Sequence, residues 1–149
     1  MTAVLNPYLT FNGNAGEAME NYRSIFGGEL TVLTFGTFGM PEPSVRDKVM
    51  HAMLTTPQGF TLMGSDCPPG VPFAPGFTIT ISLSGAPEDD MHEYWKRLAD
   101  GGDIRLPLGR QMWGDECGQL TDRFGVAWYV NIRQPRPPGE GTGPMATGQ

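Results

Sequence analysis

The stretch Phe77-Thr78-Ile79-Thr80-Ile81-Ser82-Leu83-Ser84-Gly85 decides the fold, because the same chain has already written a version of it. Its apolar residues alternate with Thr78, Thr80 and Ser82, the period of a strand with one buried face. Pro87 and then Glu88-Asp89-Asp90 follow, a proline and acids suited to a helix start. Met91, Tyr94, Trp95 and Leu98 recur at helical spacing until Gly101-Gly102 ends the run. At an offset of 72 residues, Leu9, Phe11, Gly13, Met19 and Tyr22 stand where Ile81, Leu83, Gly85, Met91 and Tyr94 stand later. The pair Gly27-Gly28 precedes Gly101-Gly102 by 74 residues, and Gly59-Phe60 precedes Gly125-Val126 by 66. The same order in both halves predicts a tandem duplication.

In the first copy a strand is expected over residues 4–11. Asn14 with Glu17 has the spacing of a capping box, and Ala18, Met19, Tyr22, Ile25 and Phe26 form one helical stripe. Strands are expected over 29–35, 51–55 and 60–63, with a Gly/Pro-rich loop over 36–43 and a turn at Pro57-Gln58-Gly59. In the second copy they are expected over 103–106, 110–113 and 126–132. The proline-rich segment 67–76 reads as a connector, since proline removes ladder donors. Module one is then 1–75 and module two 76–133, with a flexible Pro/Gly-rich tail over 134–149. One helix covers one face of its sheet, so the two sheets must bury each other and leave a cleft. The fold class is α+β, two tandem βαβββ modules.

With 149 residues, a formal net charge of −6 and no cluster of Lys and Arg, the chain is not built for nucleic acid or an anionic membrane surface. Its longest apolar runs fall far short of the roughly 20 residues of a spanning helix, and no signal peptide is expected. Cys67 and Cys117 read as reduced thiols of a cytoplasmic protein.

Several segments resemble a known family. They are Pro7-Tyr8-Leu9-Thr10-Phe11-Asn12-Gly13, Glu17-Ala18-Met19-Glu20-Asn21-Tyr22, Ile25-Phe26-Gly27-Gly28, Met63-Gly64-Ser65-Asp66, Trp113-Gly114 and Asp122-Arg123-Phe124-Gly125-Val126-Ala127-Trp128. Together they resemble the PhnB-like branch of the vicinal oxygen chelate (glyoxalase/bleomycin resistance/dioxygenase) superfamily, some of whose members are labelled demethylubiquinone methyltransferase-like. The resemblance implies two βαβββ modules forming a cup-shaped mixed-sheet cleft, and a homodimer. Enzymes of the superfamily hold a divalent metal through His, Glu or Gln on the first and last strands of each module. The corresponding positions here are Asn6, Met63, Thr78 and Tyr129, so no cofactor is expected. The glycine-rich G-x-G-x-x-G turn of a nucleotide-type site is also missing from the sequence.

Strand parity turns Asn6, Tyr8 and Thr10 toward the cleft, with Thr78, Thr80 and Ser82 in the second copy and Met63 and Tyr129 at the module ends. Trp113, Trp128, Phe35, Met53 and Met63 either line an apolar pocket or fill the core. His51 is a general base or a strand-end histidine bonded to backbone, and His92 lies on a solvated helix face. Asp66 and Asp122 either bind a cation or do acid–base work, or they hold turns by accepting from nearby amides. The residues favour a small-molecule binding protein without the superfamily's metal. One alternative is a metal-dependent lyase, isomerase or dioxygenase using His51, Asp66 or Asp122. The other is a structural or regulatory dimer whose cleft is filled by Trp113, Tyr129 and Met63.

Overall fold

Phe11 and Leu83 are buried while Thr10 and Ser82 beside them are exposed, and this alternation sets one face of each sheet against a helix. The structure, a computed structural model, describes residues 3–76 and 78–135. The chain divides into two compact units, with the boundary between Pro75 and Gly76. The first contains β1 (Tyr8–Phe11), α1 (Ala15–Phe26), β2 (Glu29–Thr34), β3 (Val49–Thr55) and β4 (Thr61–Asp66). The second contains β5 (Ile81–Gly85), α2 (Met91–Ala99), β6 (Asp103–Arg110), β7 (Glu116–Thr121) and β8 (Ala127–Ile132). Each unit is a βαβββ module with a four-stranded mixed sheet, ordered β1-β4-β3-β2 in one and β5-β8-β7-β6 in the other. β1 runs parallel to β4 and β5 parallel to β8; the remaining pairs are antiparallel.

In the first unit the buried stripe of α1 holds the predicted Ala18, Met19, Tyr22, Ile25 and Phe26, with Ala15 ahead of them. It packs on the face of β3 and β4 that carries Ala52, Leu54 and Leu62. In the second unit Met91 and Leu98 are buried on α2, which packs on β7 and β8. Gly118 makes this approach possible. A Cβ there would lie 2.7 Å from the Trp95 ring and 2.9 Å from the Leu108 Cα.

The repeat is more regular in space than in sequence. Thr56 N–H donates to the Phe60 carbonyl and Gly59 N–H to the Thr56 carbonyl; Asp122 with Val126, and Gly125 with Asp122, repeat both bonds 66 residues later. Gly28, at φ +104°, lies so close to β3 that a Cβ would fall 2.1 Å from the Thr55 carbonyl oxygen. Gly102 stands the same way against Thr121, at 2.5 Å.

Four expectations need correction. The first strand begins at Tyr8, not at residue 4, because Pro7 has no N–H to give; its carbonyl takes the Met63 N–H, and Leu5 is 99% exposed. Residues 78–80 lie outside β5, because β8 begins only at Ala127 and its first partner is Ile81. Residues 111–114 form a turn, not a strand: Gln111 N–H donates to the Asp115 carbonyl and Gly114 N–H to the Gln111 carbonyl. Proline 87 opens a 3-10 turn, Pro87–Asp89, which Asp90 separates from α2 by adopting φ +62°. Of the tail expected over 134–149, all but Gln134 and Pro135 lies outside the described residues.

Candidate functional site

The face of the first sheet that points away from α1 carries most of the expected site residues of that module. The register places Tyr8 beside Met63, Met63 beside Met53, and Met53 beside Thr31, one row across four strands. Thr10 lies on the same face of β1, two residues on from Tyr8. Asn6 precedes the strand, its Nδ2 4.0 Å from Met63 Sδ in a weak N–H···S contact. His51 belongs to this face as well. Its Nδ1 is 3.0 Å from the Tyr8 hydroxyl, with the two rings 5.6 Å apart. The pair bridges β1 and β3 across β4. Tyr8 is 48% exposed, and His51, Met53 and Met63 are half-buried. Beyond Met53 and Thr31 the surface falls into a depression of about 460 Å³ that reaches Gly28, Thr55 and Pro57.

In the second unit the face away from α2 holds Ser82, Ser84, Cys117, Gln119, Tyr129 and Asn131. Cys117 Sγ donates to the Tyr129 hydroxyl over 3.2 Å. Partial burial, and then the contact with Cys117, push the Tyr129 phenol well above its ordinary value, so it stays protonated. Asn131 Nδ2 donates to the fully buried Asp115 at 3.2 Å, and the Gln134 N–H donates to the other oxygen of that carboxylate. The Ser84 hydroxyl is buried without a hydrogen-bond partner. Thr78 and Thr80 are exposed and precede the strand. Trp113 is half-buried in the turn between β6 and β7.

The two aspartates are placed for structure. Asp66 is 2% exposed, on the helix side of β4. Its Oδ1 accepts from the Ala15 N–H and its Oδ2 from the Val49 N–H, both at 2.9 Å. It therefore does the capping expected of Asn14, whose side chain makes no cap hydrogen bond. Asp122 holds the β7–β8 turn: Oδ1 accepts from the N–H groups of Phe124 and Val126, and Oδ2 from the Trp128 indole at 3.0 Å. His51 and Asp66 point to opposite faces of one sheet, so these two side chains do not converge, and Asp122 is engaged in the turn of the second unit. Among the described residues, no three His, Cys, Asp or Glu side chains come together as a metal cluster. His92 is tied rather than free: its Nε2 is 3.0 Å from Glu116 Oε1, and Gln134 Nε2 donates to Glu116 Oε2.

The profile of the 3-demethylubiquinone-9 3-methyltransferase family matches residues 3–131. The chain belongs to that family. The crystal structure of protein PA1353 from Pseudomonas aeruginosa is similar at 39% identity and TM-score 0.81, covering 90% of this chain and all of that one. A putative 3-demethylubiquinone-9 3-methyltransferase, a PhnB protein from Bacillus cereus, is similar at 25% identity and TM-score 0.68, covering 88% of this chain and all of that one. A glyoxylase/bleomycin resistance protein/dioxygenase domain from Frankia sp. EAN1pec shares the fold, with TM-score 0.61 at 17% identity over 90% of this chain and 99% of that one. The PhnB-like resemblance read from the sequence agrees with this family match and with the Bacillus cereus structure.

The superfamily's metal does not fit the residues at its expected positions. Asn6 and Met63 meet each other as amide and thioether, Thr78 and Thr80 both precede β5, and the Tyr129 hydroxyl accepts from Cys117 Sγ. A hard divalent ion wants carboxylate or imidazole donors, and none of these residues supplies one.

Missed in the sequence were the tie between His51 and Tyr8 and the cluster of Asp115, Asn131 and Gln134. Parity held the clue to the first: Ala52 and Leu54 face the helix, so His51 and Met53 must face away from it.

Proposed function

We propose that this chain is a small-molecule binding protein that works without the superfamily's metal. The observation that carries the reading is the Tyr8–His51 pair, standing accessible on a sheet face that also carries Thr10, Thr31, Met53 and Met63. Apolar, polarisable side chains around a few convergent hydrogen-bonding groups are the composition of a ligand site. The expected site residues belong to this reading, Asn6, Tyr8, Thr10 and Met63 in the first unit and Thr78, Thr80, Trp113 and Tyr129 in the second. Methyl transfer finds little support: β1 leads to α1 through Asn12-Gly13-Asn14, from an edge strand of a mostly antiparallel sheet.

The reading includes a cytoplasmic homodimer. The free thiols Cys67 and Cys117 support the compartment. Leu5, Ile79 and Met112 are each between 81% and 99% exposed, and covering such apolar side chains favours self-association. Among the described residues, no helix is long and apolar enough to cross a membrane.

The test is elemental analysis of the untreated protein beside thermal shift of metal-stripped protein. Zn, Ni, Mn, Fe(II) and Mg are added back singly, and then a library of small molecules. Stabilisation by library compounds without stoichiometric metal supports the reading, since a ligand that binds only the folded state raises its melting temperature. A stoichiometric metal with a shift of several degrees sinks it. Light scattering gives the mass that decides the dimer.

A further inference from the structure

We propose that the face around Tyr8 and His51 takes a planar aromatic ligand bearing a ring hydroxyl; this rests on the binding reading above. The inference starts from the hydrogen bond between Tyr8 Oη and His51 Nδ1, 3.0 Å long. Only one proton can lie between the two atoms. If the phenol donates, the imidazole keeps its N–H at Nε2 and the phenol oxygen keeps a lone pair for a ligand. If Nδ1–H donates, the phenol keeps its O–H and Nε2 offers a lone pair. Either way the neutral pair presents one donor and one acceptor, and exchanging the tautomer only exchanges their places. A hydroxyl is complementary to both arrangements, because it donates and accepts at one oxygen. A carboxylate or a ketone, which only accepts, would leave the pair's acceptor unused.

The rest of the face sets the shape. Met63 and Met53 lie side by side in register between Tyr8 and Thr31, giving a floor of thioethers beside an aromatic ring. Thioether sulfur makes favourable contacts with aromatic rings and adapts to their outline. With strands about 4.8 Å apart, the row from Tyr8 to Thr31 spans about 14 Å, room for one or two fused rings. At its far end the depression next to Met53 accommodates a substituent.

The probes are 4-methylphenol, a phenol that stays protonated at neutral pH, and toluene, which share ring and methyl group and differ by the hydroxyl. Binding of each to metal-stripped full-length protein is measured by calorimetry, for wild type, Tyr8→Phe and His51→Leu. Melting temperatures of the variants confirm that they fold. The expected result is that wild type prefers 4-methylphenol about tenfold, the scale of one net hydrogen bond. That preference should fall to near unity in both variants, with toluene affinity little changed. No preference in wild type, or a preference that survives both substitutions, overturns the inference. If neither probe binds while other library compounds stabilise the protein, this ligand class is wrong and the binding reading stands. If nothing in the library binds either, both fail.

Discussion

Asp66 accepts the Ala15 N–H across 51 positions of sequence, and so the last strand of the first module caps that module's helix. The same carboxylate holds the first residue of β3 through the Val49 N–H. Removing it leaves two buried donors without partners and takes a negative charge from a helix N-terminus. Asp66→Ala should cost about 2–4 kcal/mol, the sum of a lost cap and an unsatisfied buried N–H. Asp66→Asn keeps one acceptor oxygen and should cost clearly less. Urea denaturation of the three proteins checks this; equal losses for the two variants would show that the acceptor count does not matter.

Asp122 and Thr56 perform one task in two chemistries. Thr56 Oγ1 accepts from the N–H four residues on, as Asp122 Oδ1 does from Val126. Asp122→Thr should therefore be less damaging than Asp122→Ala. It still loses the bond to the Trp128 indole, at about 1–3 kcal/mol for a buried donor left alone. The order of the two denaturation midpoints is the measurement.

Gly28 and Gly59 both have positive φ, but only Gly28 is crowded. Gly59→Ala should cost about 1–2 kcal/mol, the backbone term alone. Gly28→Ala adds a clash with the Thr55 carbonyl and should exceed about 3 kcal/mol. If the two cost the same, the close approach of the helix end to β3 is not as tight as the structure has it.

Tyr129 gives a prediction about alkaline pH. Its phenol is held above the ordinary value by partial burial and then by the Cys117 contact. The folded state therefore favours the neutral phenol. That contribution is complete below the unfolded value of about 10 and is lost as pH climbs from there toward the folded value. Stability should fall more steeply above pH ~10 in wild type than in Tyr129→Phe, which has no phenol to ionise. Parallel slopes would show that partial burial and the Cys117 contact do not hold the phenol protonated.

The duplication was readable because strand parity and helical stripes survive imperfect alignment. The offset of 72 for the first strand was in fact two residues short. Tyr8 pairs with Met63 and Ser82 with Tyr129, so the first strands are related by 74, like the Gly-Gly stops. A slip of two preserves every face, so Phe11 and Leu83 were still assigned inward. It did misplace the module-two counterpart of Asn6, which is Thr80 by this register and not Thr78. β7 escaped notice because Glu116-Cys117-Gly118-Gln119 has little strand propensity. It is a strand because β6 and β8 flank it and because Gly118 admits Trp95. The cap by Asp66 and the pairing of His51 with Tyr8 depend on contacts 51 and 43 residues apart, which no local pattern carries.

The parallel pairing of the outer strands fixes the direction of travel through each module. β1 and β4 start at the same end of their sheet, so the chain arrives at one end and departs from the other, about 10 Å away along the four-residue ladder. A circularly permuted first module, with its native termini joined, would need a bridge of at least three or four residues to run back along the sheet. A two-residue hairpin turn could not close it, since that joins antiparallel neighbours only.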